Sequence, residues 1–402
     1  MVRPSNRVAL LAAACLCVAL AFPPRAAHAK DLQGAVTTPM QLELDRPYID
    51  LTLTGPNGQH VTAHAYVDTG GGALIFSADL AEKLGLKANG KALHEEGQTL
   101  TPTATPALHI RGRQIELVDT HALIDASEPR TLGRTDAEMM LPGRFLSHYV
   151  VTFDYPAHTF TLADSDSHKP DGKAVKTTIG GGMPVIRASV AGKSYGFLLD
   201  TGAQYCMISA VNLGAWRKQQ PAWPHVEGAY GPANMQMGRF ETKLYMLRIA
   251  ALQWGPFRIE NAGAVSRGAG NYEHGMSEIV GTPIIGSIGG NVLRHFKVTV
   301  DYPRHTVYLE GPAIAHDATL NMVGIMLEPA VQGGYEVAGT AAGVKGIQSG
   351  DELLEVDGRD VTQAPFSTVA NLLSGSPGTS RTLLLQRGQA RLTVHAMVQP
   401  VF

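Results

Sequence analysis

The chain has 402 residues, of which 44% are hydrophobic and 17% charged, with a formal net charge of −2 at pH 7. This length is sufficient for two or three domains, each with its own core. The sequence has no basic tract or stripe, so a nucleic acid is not expected as a partner.

The first 29 residues have the three parts of a secretory signal peptide. A basic start is followed by an apolar run at residues 8–22 and a small-x-small site at Ala27-His28-Ala29. The run is too short to favour a membrane span and no later stretch is longer, so an integral membrane protein is not expected. We therefore expect a periplasmic or secreted protein. A lipoprotein anchored through Cys15 is the rival interpretation, which the apolar run beyond that cysteine disfavours.

Removal of residues 1–29 leaves 30 basic and 35 acidic residues and a single cysteine, Cys206. An intrachain disulfide is then impossible, and the exported chain must depend on its core for stability. Cys206 is predicted to be a packed small residue, because no histidine or other base lies near it in the sequence. The sequence does not decide whether residues 30–45 form a pro-segment that would block a binding cleft in the mature protein.

Residues 30–165 are predicted to form a first lobe of short β-strands. The apolar stretch before Asp68 predicts a buried strand that ends in the tight turn Asp68-Thr69-Gly70. Ser77–Gly85 is predicted to be a short helix, with Ser77 as its cap and Gly85 as its stop. Residues 108–117 are predicted to form a hairpin.

The second half of the chain, residues 174–312, repeats the first. Asp200-Thr201-Gly202 follows an apolar strand as Asp68-Thr69-Gly70 does. Downstream, FLSHYVVTFDYPAHTFTLA at residues 145–163 corresponds to VLRHFKVTVDYPRHTVYLE at residues 292–310. A unit of about 135 residues is thus duplicated within the chain.

Paired Asp-Thr-Gly motifs in a duplicated β chain resemble those of an aspartic peptidase. More narrowly, the chain resembles the bacterial retropepsin-like or pepsin-like aspartyl proteases that carry a C-terminal PDZ domain. The resemblance implies that Asp68 and Asp200 are catalytic. It assigns support of the catalytic loops to Thr69, Gly70, Thr201, Gly202 and the element Ile284-Ile285-Gly286. The first lobe departs from the family pattern, because Pro142 intrudes at Leu141-Pro142-Gly143.

The chemistry of such a site needs a water held between two carboxylates about 3 Å apart. Like charges this close share one proton, so one carboxyl acts as base towards the water and the other as acid towards the scissile carbonyl. The sequence leaves these roles open between Asp68 and Asp200, because the pair titrates as a unit. Gly71 and Ala203 lack the hydroxyl that pepsin-like enzymes place there, which predicts activity nearer neutral pH.

Residues 320–400 are predicted to form one PDZ domain. The stretch GIQSGDELLEVDG at residues 346–358 resembles the corresponding stretch of that family. A helix is predicted at Ser367–Leu373 and a strand at Arg381–Arg387. For Gly324-Ile325-Met326, a carboxylate-binding loop beside a groove for an added peptide strand and a plain strand both stay open.

The predicted fold is mainly β, with two aspartic-protease-type β-barrel lobes followed by the PDZ domain. The predicted function is an aspartic endopeptidase that acts on peptide or unfolded protein substrates. It would act as a monomer, without a cofactor or metal; hairpin turns explain the repeated histidines better than a metal site does.

Tyr230 is either a flap over the substrate or an exposed loop tyrosine, and the flap could instead lie in residues 90–106. The alternatives are a non-catalytic peptide-binding or scaffold protein and a PDZ-anchored partner in an envelope complex.

Overall fold

A computed structural model describes residues 34–95, 98–117, 120–126, 137–166, 169–230, 233, 244–330 and 333–402. The predicted signal peptide at residues 1–29 lies outside these ranges. The described chain is mainly β, with short helices between strands, as the sequence predicts.

The helices are α1 (Ala78–Leu84), α2 (Gly143–Leu146), α3 (Ala210–Gln219), a π-helix (Asn271–Met276), α4 (Ser277–Val280), α5 (Gly290–Leu293) and α6 (Phe366–Leu373). The predicted limits of α1 are confirmed. The Ser77 side chain accepts a hydrogen bond from the Leu80 amide, and Gly85 ends the helix with φ 67°. Glycine takes this left-handed conformation at little cost.

The strands of the N-terminal half are β1 (Ala35–Pro39), β2 (Gln41–Glu43), β3 (Arg46–Thr54), β4 (His60–Asp68), β5 (Leu74–Ser77), β6 (Leu93–Glu95), β7 (Gln98–Pro102), β8 (Ala107–Ile110), β9 (Arg113–Ile115), β10 (Ala122–Asp125), β11 (Met139–Pro142), β12 (Val150–Asp154) and β13 (Thr159–Ala163). Most of them form one sheet in the order β6-β7-β10-β5-β11-β4-β3-β8-β9. β4 lies at its centre, between the antiparallel β3 and the parallel β11. The predicted hairpin at residues 108–117 is present as β8 and β9.

The strands of the next part are β14 (Lys173–Lys176), β15 (Thr178–Gly180), β16 (Met183–Val190), β17 (Lys193–Leu199), β18 (Cys206–Ser209), β19 (His225–Glu227), β20 (Tyr245–Trp254), β21 (Phe257–Arg267), β22 (Gly286–Ile288), β23 (Lys297–Asp301), β24 (Thr306–Glu310) and β25 (Ile314–His316). Here β17 lies between the antiparallel β16 and the parallel β22. This arrangement repeats that of β3, β4 and β11. We call the two parts lobe 1 and lobe 2.

A third sheet, in the order β1-β13-β12-β23-β24-β14, takes strands from both lobes. The repeated blocks supply its centre, where β12 and β23 pair antiparallel with Thr152 opposite Thr299. The two hydroxyls are 2.9 Å apart and buried. The duplicated sequence therefore folds with the two copies facing each other across this pair.

The C-terminal strands are β26 (Asn321–Met322), β27 (Ile325–Pro329), β28 (Tyr335–Thr340), β29 (Glu352–Val356), β30 (Arg359–Asp360), β31 (Ser380–Arg387), β32 (Ala390–Met397) and β33 (Gln399–Pro400). They form a sheet in the order β27-β28-β29-β31-β32, with α6 packed beside it. The predicted helix and the strand at Arg381–Arg387 are confirmed within one residue.

This C-terminal part is packed directly on lobe 2. One buried apolar cluster contains Met207 and Tyr230 of lobe 2 together with Leu320, Met326 and Val401 of the C-terminal part. The connection is also fixed by polar contacts. Asp317, only 4% exposed, accepts bonds from the Gly263 amide (2.8 Å), the Asn291 side chain (2.6 Å) and the Thr319 amide (2.8 Å).

Replacement of Asp317 by alanine is expected to lower the free energy of unfolding by about 3 kcal/mol, because buried donors lose a charged acceptor. The matched control is Asp360→Ala. Asp360 is exposed and accepts bonds from the amide and hydroxyl of Thr362, just as Asp317 accepts bonds from the amide and hydroxyl of Thr319. Its loss should leave the thermal midpoint nearly unchanged. Equal losses of stability in the two variants, measured by thermal unfolding, would contradict the role given to the buried carboxylate.

Candidate active site

The two Asp-Thr-Gly turns meet at the ends of the central strands of the lobes. Asp68 is the last residue of β4, and Asp200 follows the last residue of β17. Their exposed fractions are 8% and 1%. A Cβ placed on Gly70 would lie 3.1 Å from Asp200 Oδ1 and 3.3 Å from Asp68 Oδ1. Both carboxylates therefore border the same glycine.

Backbone amides hold each carboxylate. Asp68 Oδ1 accepts from the Gly70 amide at 2.8 Å, and Asp200 Oδ1 accepts from the amides of Gly202 (3.0 Å) and Ala203 (3.1 Å). A Cβ on Gly202 would lie 2.5 Å from the Tyr66 hydroxyl and would overlap the Asp68 carboxylate. Glycine is needed there because no larger residue leaves room for the opposite carboxylate.

The two threonines lock the turns together by four reciprocal hydrogen bonds. The Thr69 hydroxyl donates to the Leu199 carbonyl and accepts from the Thr201 amide, at 2.7 and 3.0 Å. The Thr201 hydroxyl donates to the Val67 carbonyl and accepts from the Thr69 amide, at the same two distances. Both threonines are fully buried. The two lobes are thus joined directly beneath the carboxylates.

The residues that support the Asp200 turn differ from the ones that the sequence predicted. Ser287 and Ile288 pair with Leu198 and Leu199 in parallel, and the Asp200 amide donates to the Ile288 carbonyl. Ile284 and Ile285 precede β22, so the element that lies against the Asp200-Thr201-Gly202 turn is Ser287-Ile288-Gly289 instead of Ile284-Ile285-Gly286. Packing distinguishes the two elements. A Cβ on Gly289 would collide with the carbonyls of Ala203 and Tyr205, which follow the turn, whereas a Cβ on Gly286 would collide with the Met207 carbonyl in β18.

The proline of lobe 1 leaves the equivalent support in place. β11 pairs with β4 in parallel with Leu141 opposite Val67 and Pro142 opposite Asp68. The next residue, Gly143, lies so close to the Thr69 carbonyl that any side chain would collide with it. A proline is accommodated because it forms the N-terminal cap of α2 in extended conformation.

The site contains two residues that the motifs do not mark. The Tyr66 hydroxyl donates to the Gly202 carbonyl at 2.6 Å, a further bond between the lobes. Arg46 is 4% exposed and its charge acts on Asp68. Arg46 begins β3, and Tyr66 lies two residues before Asp68 in β4. The pairing register of these two strands is the signal that could have placed both residues beside Asp68.

Burial raises the pKa of Asp68 to about 7, and the negative charge of Asp200 acts in the same direction. The amides of Gly70 and Gly71 and the guanidinium of Arg46 oppose this rise. A carboxyl in this environment keeps its proton through the acid range. The pair can therefore hold one shared proton near neutral pH.

Tyr230 is 3% exposed, which excludes the exposed-loop interpretation. Its amide lies 3.3 Å from the Met246 sulfur, within the cluster that joins lobe 2 to the C-terminal part. Residues 231–232 and 234–243, which follow it, lie outside the described ranges. The alternative flap segment, residues 90–106, contains the hairpin β6–β7, whose residues 96–97 are also outside them.

A second candidate site lies between β27 and α6. It is a narrow apolar groove whose cavity of about 10 Å³ has room for about one water molecule. It is lined by the buried side chains of Met322, Val323, Ile325, Leu327, Phe366, Ala370 and Leu373. Of the three predicted binding residues, Ile325 lines this groove, and Met326 belongs to the cluster with lobe 2. Gly324 directly precedes these two residues, and its carbonyl accepts a hydrogen bond from the Ala341 amide at 2.7 Å.

Cys206 is buried against Asn291, with 3.7 Å between its sulfur and the side-chain oxygen. Burial raises the pKa of its thiol to about 12, so the thiolate that a nucleophile needs is not formed near neutral pH. Within the described ranges, no three His, Cys, Asp or Glu side chains come together in a way that could hold a metal ion.

Comparison with known proteins identifies the C-terminal part. The family model of the PDZ domain matches residues 335–387. No curated protein matches the chain. Among solved structures, a photosystem II D1 C-terminal processing protease is similar over 21% of this chain and 24% of that one, at 23% identity and a TM-score of 0.20. The chain thus covers about a quarter of that structure's length. No helix in the described part is long and apolar enough to span a membrane.

Replacing Thr201 by valine is expected to lower the free energy of unfolding by about 2–4 kcal/mol, because the Val67 carbonyl and the Thr69 amide lose their partner in the interior. Thr201→Ser is the control, since it keeps the hydroxyl and removes one methyl group, at a cost of about 1 kcal/mol. Denaturant unfolding of both variants measures the difference. A serine variant as unstable as the valine variant would exclude the hydroxyl as the cause.

The raised pKa of Asp68 also predicts how stability depends on pH. Between about pH 4, where an unfolded aspartate titrates, and the folded value of about 7, the folded chain binds more protons than the unfolded chain. Stability therefore falls as pH rises through this window, by up to about 1.4 kcal/mol per pH unit. Asp68→Asn should lack this slope. The free energy of unfolding of the wild-type chain and of Asp68→Asn is measured at several pH values. If it depends on pH in the same way for both, Asp68 is not the cause of the slope.

Proposed function

We propose that this protein is an aspartic-type endopeptidase that hydrolyses peptide bonds with Asp68 and Asp200. The observation that carries the proposal is the pair of buried carboxylates brought against one glycine by two reciprocally bonded turns. Such a pair has a large electrostatic cost unless it shares a proton. Sharing a proton is the state in which two carboxyls can act as acid and base towards one water.

The reaction needs no covalent intermediate. A water between the carboxyls loses its proton to the ionised member and attacks the scissile carbonyl, while the protonated member donates to the carbonyl oxygen. The raised pKa of Asp68 keeps one proton on the pair up to about pH 7. Activity is therefore proposed to extend to near-neutral pH, which suits a periplasmic or secreted protein.

Both aspartates come from one chain, so we propose that the monomer is the active form. The substrates would be peptides or unfolded proteins, since a chain must be extended to enter a site between two lobes. The PDZ domain would hold such a chain beside the lobes or regulate its access. The match of residues 335–387 to the PDZ family is the observation that supports this role.

A second candidate function is peptide binding without hydrolysis. The groove between β27 and α6 favours it, because a PDZ domain binds an added peptide strand whether or not an enzyme is attached. In this case the aspartate pair would serve only to join the lobes. The two candidates differ in whether a bound peptide is cleaved.

Cleavage of an unstructured peptide mixture by residues 30–402 is expected between pH 4 and 7.5, with the product peptides identified by mass spectrometry. Asp68→Asn and Asp200→Asn should each lower the rate by at least about 1,000-fold, because either change removes the shared proton chemistry. Asp360→Asn, at an exposed aspartate, is the matched control and should retain full activity.

Activity that survives in either active-site variant would contradict the proposal. A folded wild-type chain that binds peptides through the groove and cleaves none at any pH in the range would favour the second candidate. Leu327→Asp, which places a charge in the groove, tests whether that binding uses the PDZ domain.

A further inference from the structure

The Tyr66 side chain reaches from lobe 1 to the turn that carries Asp200. Its hydroxyl donates a buried hydrogen bond to the Gly202 carbonyl at 2.6 Å. That carbonyl belongs to the same peptide group as the Ala203 amide, and this amide donates to Asp200 Oδ1 at 3.1 Å. Because a trans peptide points its carbonyl and its amide in opposite directions, the hydroxyl and the carboxylate are bonded to opposite ends of one peptide group.

A hydrogen bond at the carbonyl end of a peptide group strengthens the donor at its amide end. The bond draws electron density towards the carbonyl oxygen and leaves the N–H more positive, so the bonds of a chain polarise one another. Tyr66 and Asp200 are both buried, where such electrostatic effects are screened less than at the surface. The chain of bonds therefore ends on a carboxylate oxygen that is better stabilised when it is ionised.

The corresponding position of lobe 2 holds an apolar residue. Tyr66 in β4 and Leu198 in β17 each lie two residues before the aspartate of their lobe. A leucine side chain has no hydroxyl with which to donate to the turn of Asp68. This chain of bonds thus comes from lobe 1 alone and acts on the aspartate of lobe 2, which makes the two carboxylates unequal.

We propose that Tyr66 is a positioning residue that stabilises the ionised form of Asp200 through the peptide group between them. The inference rests on the proposed hydrolysis. Asp200 then takes one proton of the attacking water as the water oxygen bonds to the carbonyl carbon, and Asp68 donates its proton to the carbonyl oxygen. When the C–N bond breaks, the leaving nitrogen takes the proton held by Asp200, and Asp68 regains a proton from the hydroxyl that it had protonated.

The groups around the pair agree with this assignment. Burial raises the pKa of Asp68 to about 7, and the negative charge of Asp200 acts in the same direction. The amides of the turn and the guanidinium of Arg46 oppose this rise without cancelling it, so Asp68 is the member that keeps a proton near neutral pH. Further side chains that interact with the two carboxylates are neutral, because burial raises the pKa of each: Tyr66, Tyr155, Cys206 and Tyr302.

The test measures each carboxyl alone, by ¹³C NMR titration of labelled aspartate in Asp68→Asn and in Asp200→Asn, each with and without Tyr66→Phe. Phenylalanine keeps the ring that lies 5.5 Å from the ring of Tyr48 and removes the hydroxyl. We expect the titration midpoint of the remaining Asp200 to rise by about half a pH unit, because polarisation contributes about 10–30% of a charge-assisted hydrogen bond. The midpoint of the remaining Asp68 should move by much less.

The matched control is Thr152→Val, which removes another buried hydroxyl contact between the lobes, the one to Thr299 at 2.9 Å. It should move neither midpoint. A fluorinated tyrosine at position 66 keeps the hydroxyl and makes it a stronger donor, so it should lower the midpoint of Asp200. This second variant also carries the test if the phenylalanine chain does not fold.

In the enzyme with both aspartates, Tyr66→Phe should move the acid limb of the kcat/KM profile upwards by about half a pH unit and leave the basic limb in place. An unchanged Asp200 midpoint, an equal shift of Asp68, or an equal shift in Thr152→Val would overturn the proposal. The titrations need no turnover, so a chain whose midpoints shift as expected and which cleaves no peptide would contradict the proposed hydrolysis alone.

Discussion

Two threonine hydroxyls hold the centre of this molecule, each donating to a carbonyl of the opposite lobe and accepting an amide from it. These bonds satisfy buried backbone groups that β4 and β17 leave unpaired where they end. Because the bonds are reciprocal, neither turn can move without breaking the partner's contacts. The two carboxylates are therefore brought together by the backbone, and their repulsion, together with burial, raises the pKa of Asp68 to about 7.

The same constraint explains which residues tolerate no side chain. Gly70 and Gly202 lie between the carboxylates, and Gly143 and Gly289 lie where the supporting strands meet the turns. Residues outside these points are free to differ between the lobes, and they do. Duplication thus accounts for the framework of the site, and residues such as Arg46 and Tyr66, which flank one turn only, come from divergence of the strands beside it.

Sequence was sufficient for features that depend on local or repeated patterns. The limits of α1 follow from Ser77 and Gly85. The repeated block predicts a duplication, but it does not predict that β12 pairs with β23, because that pairing depends on contact between the two copies. The support element was placed three residues too early, because Ile284-Ile285-Gly286 and Ser287-Ile288-Gly289 are both apolar-glycine patterns and only contact with the turn separates them. Arg46 and Tyr66 were missed because their role comes from register between strands.

The position of the PDZ domain has a consequence for both candidate sites. The segment from Leu320 to Leu327 contributes to the cluster on lobe 2 through Leu320 and Met326, and to the groove through Ile325 and Leu327. Within β27, the Met326 side chain therefore faces lobe 2, whereas Ile325 and Leu327 face the groove. A peptide that lengthens the sheet at β27 would contact a strand whose other face packs on the lobe that carries Asp200. The groove and the aspartate pair are thus parts of one packed structure, and a loose tether between them would not fit these contacts.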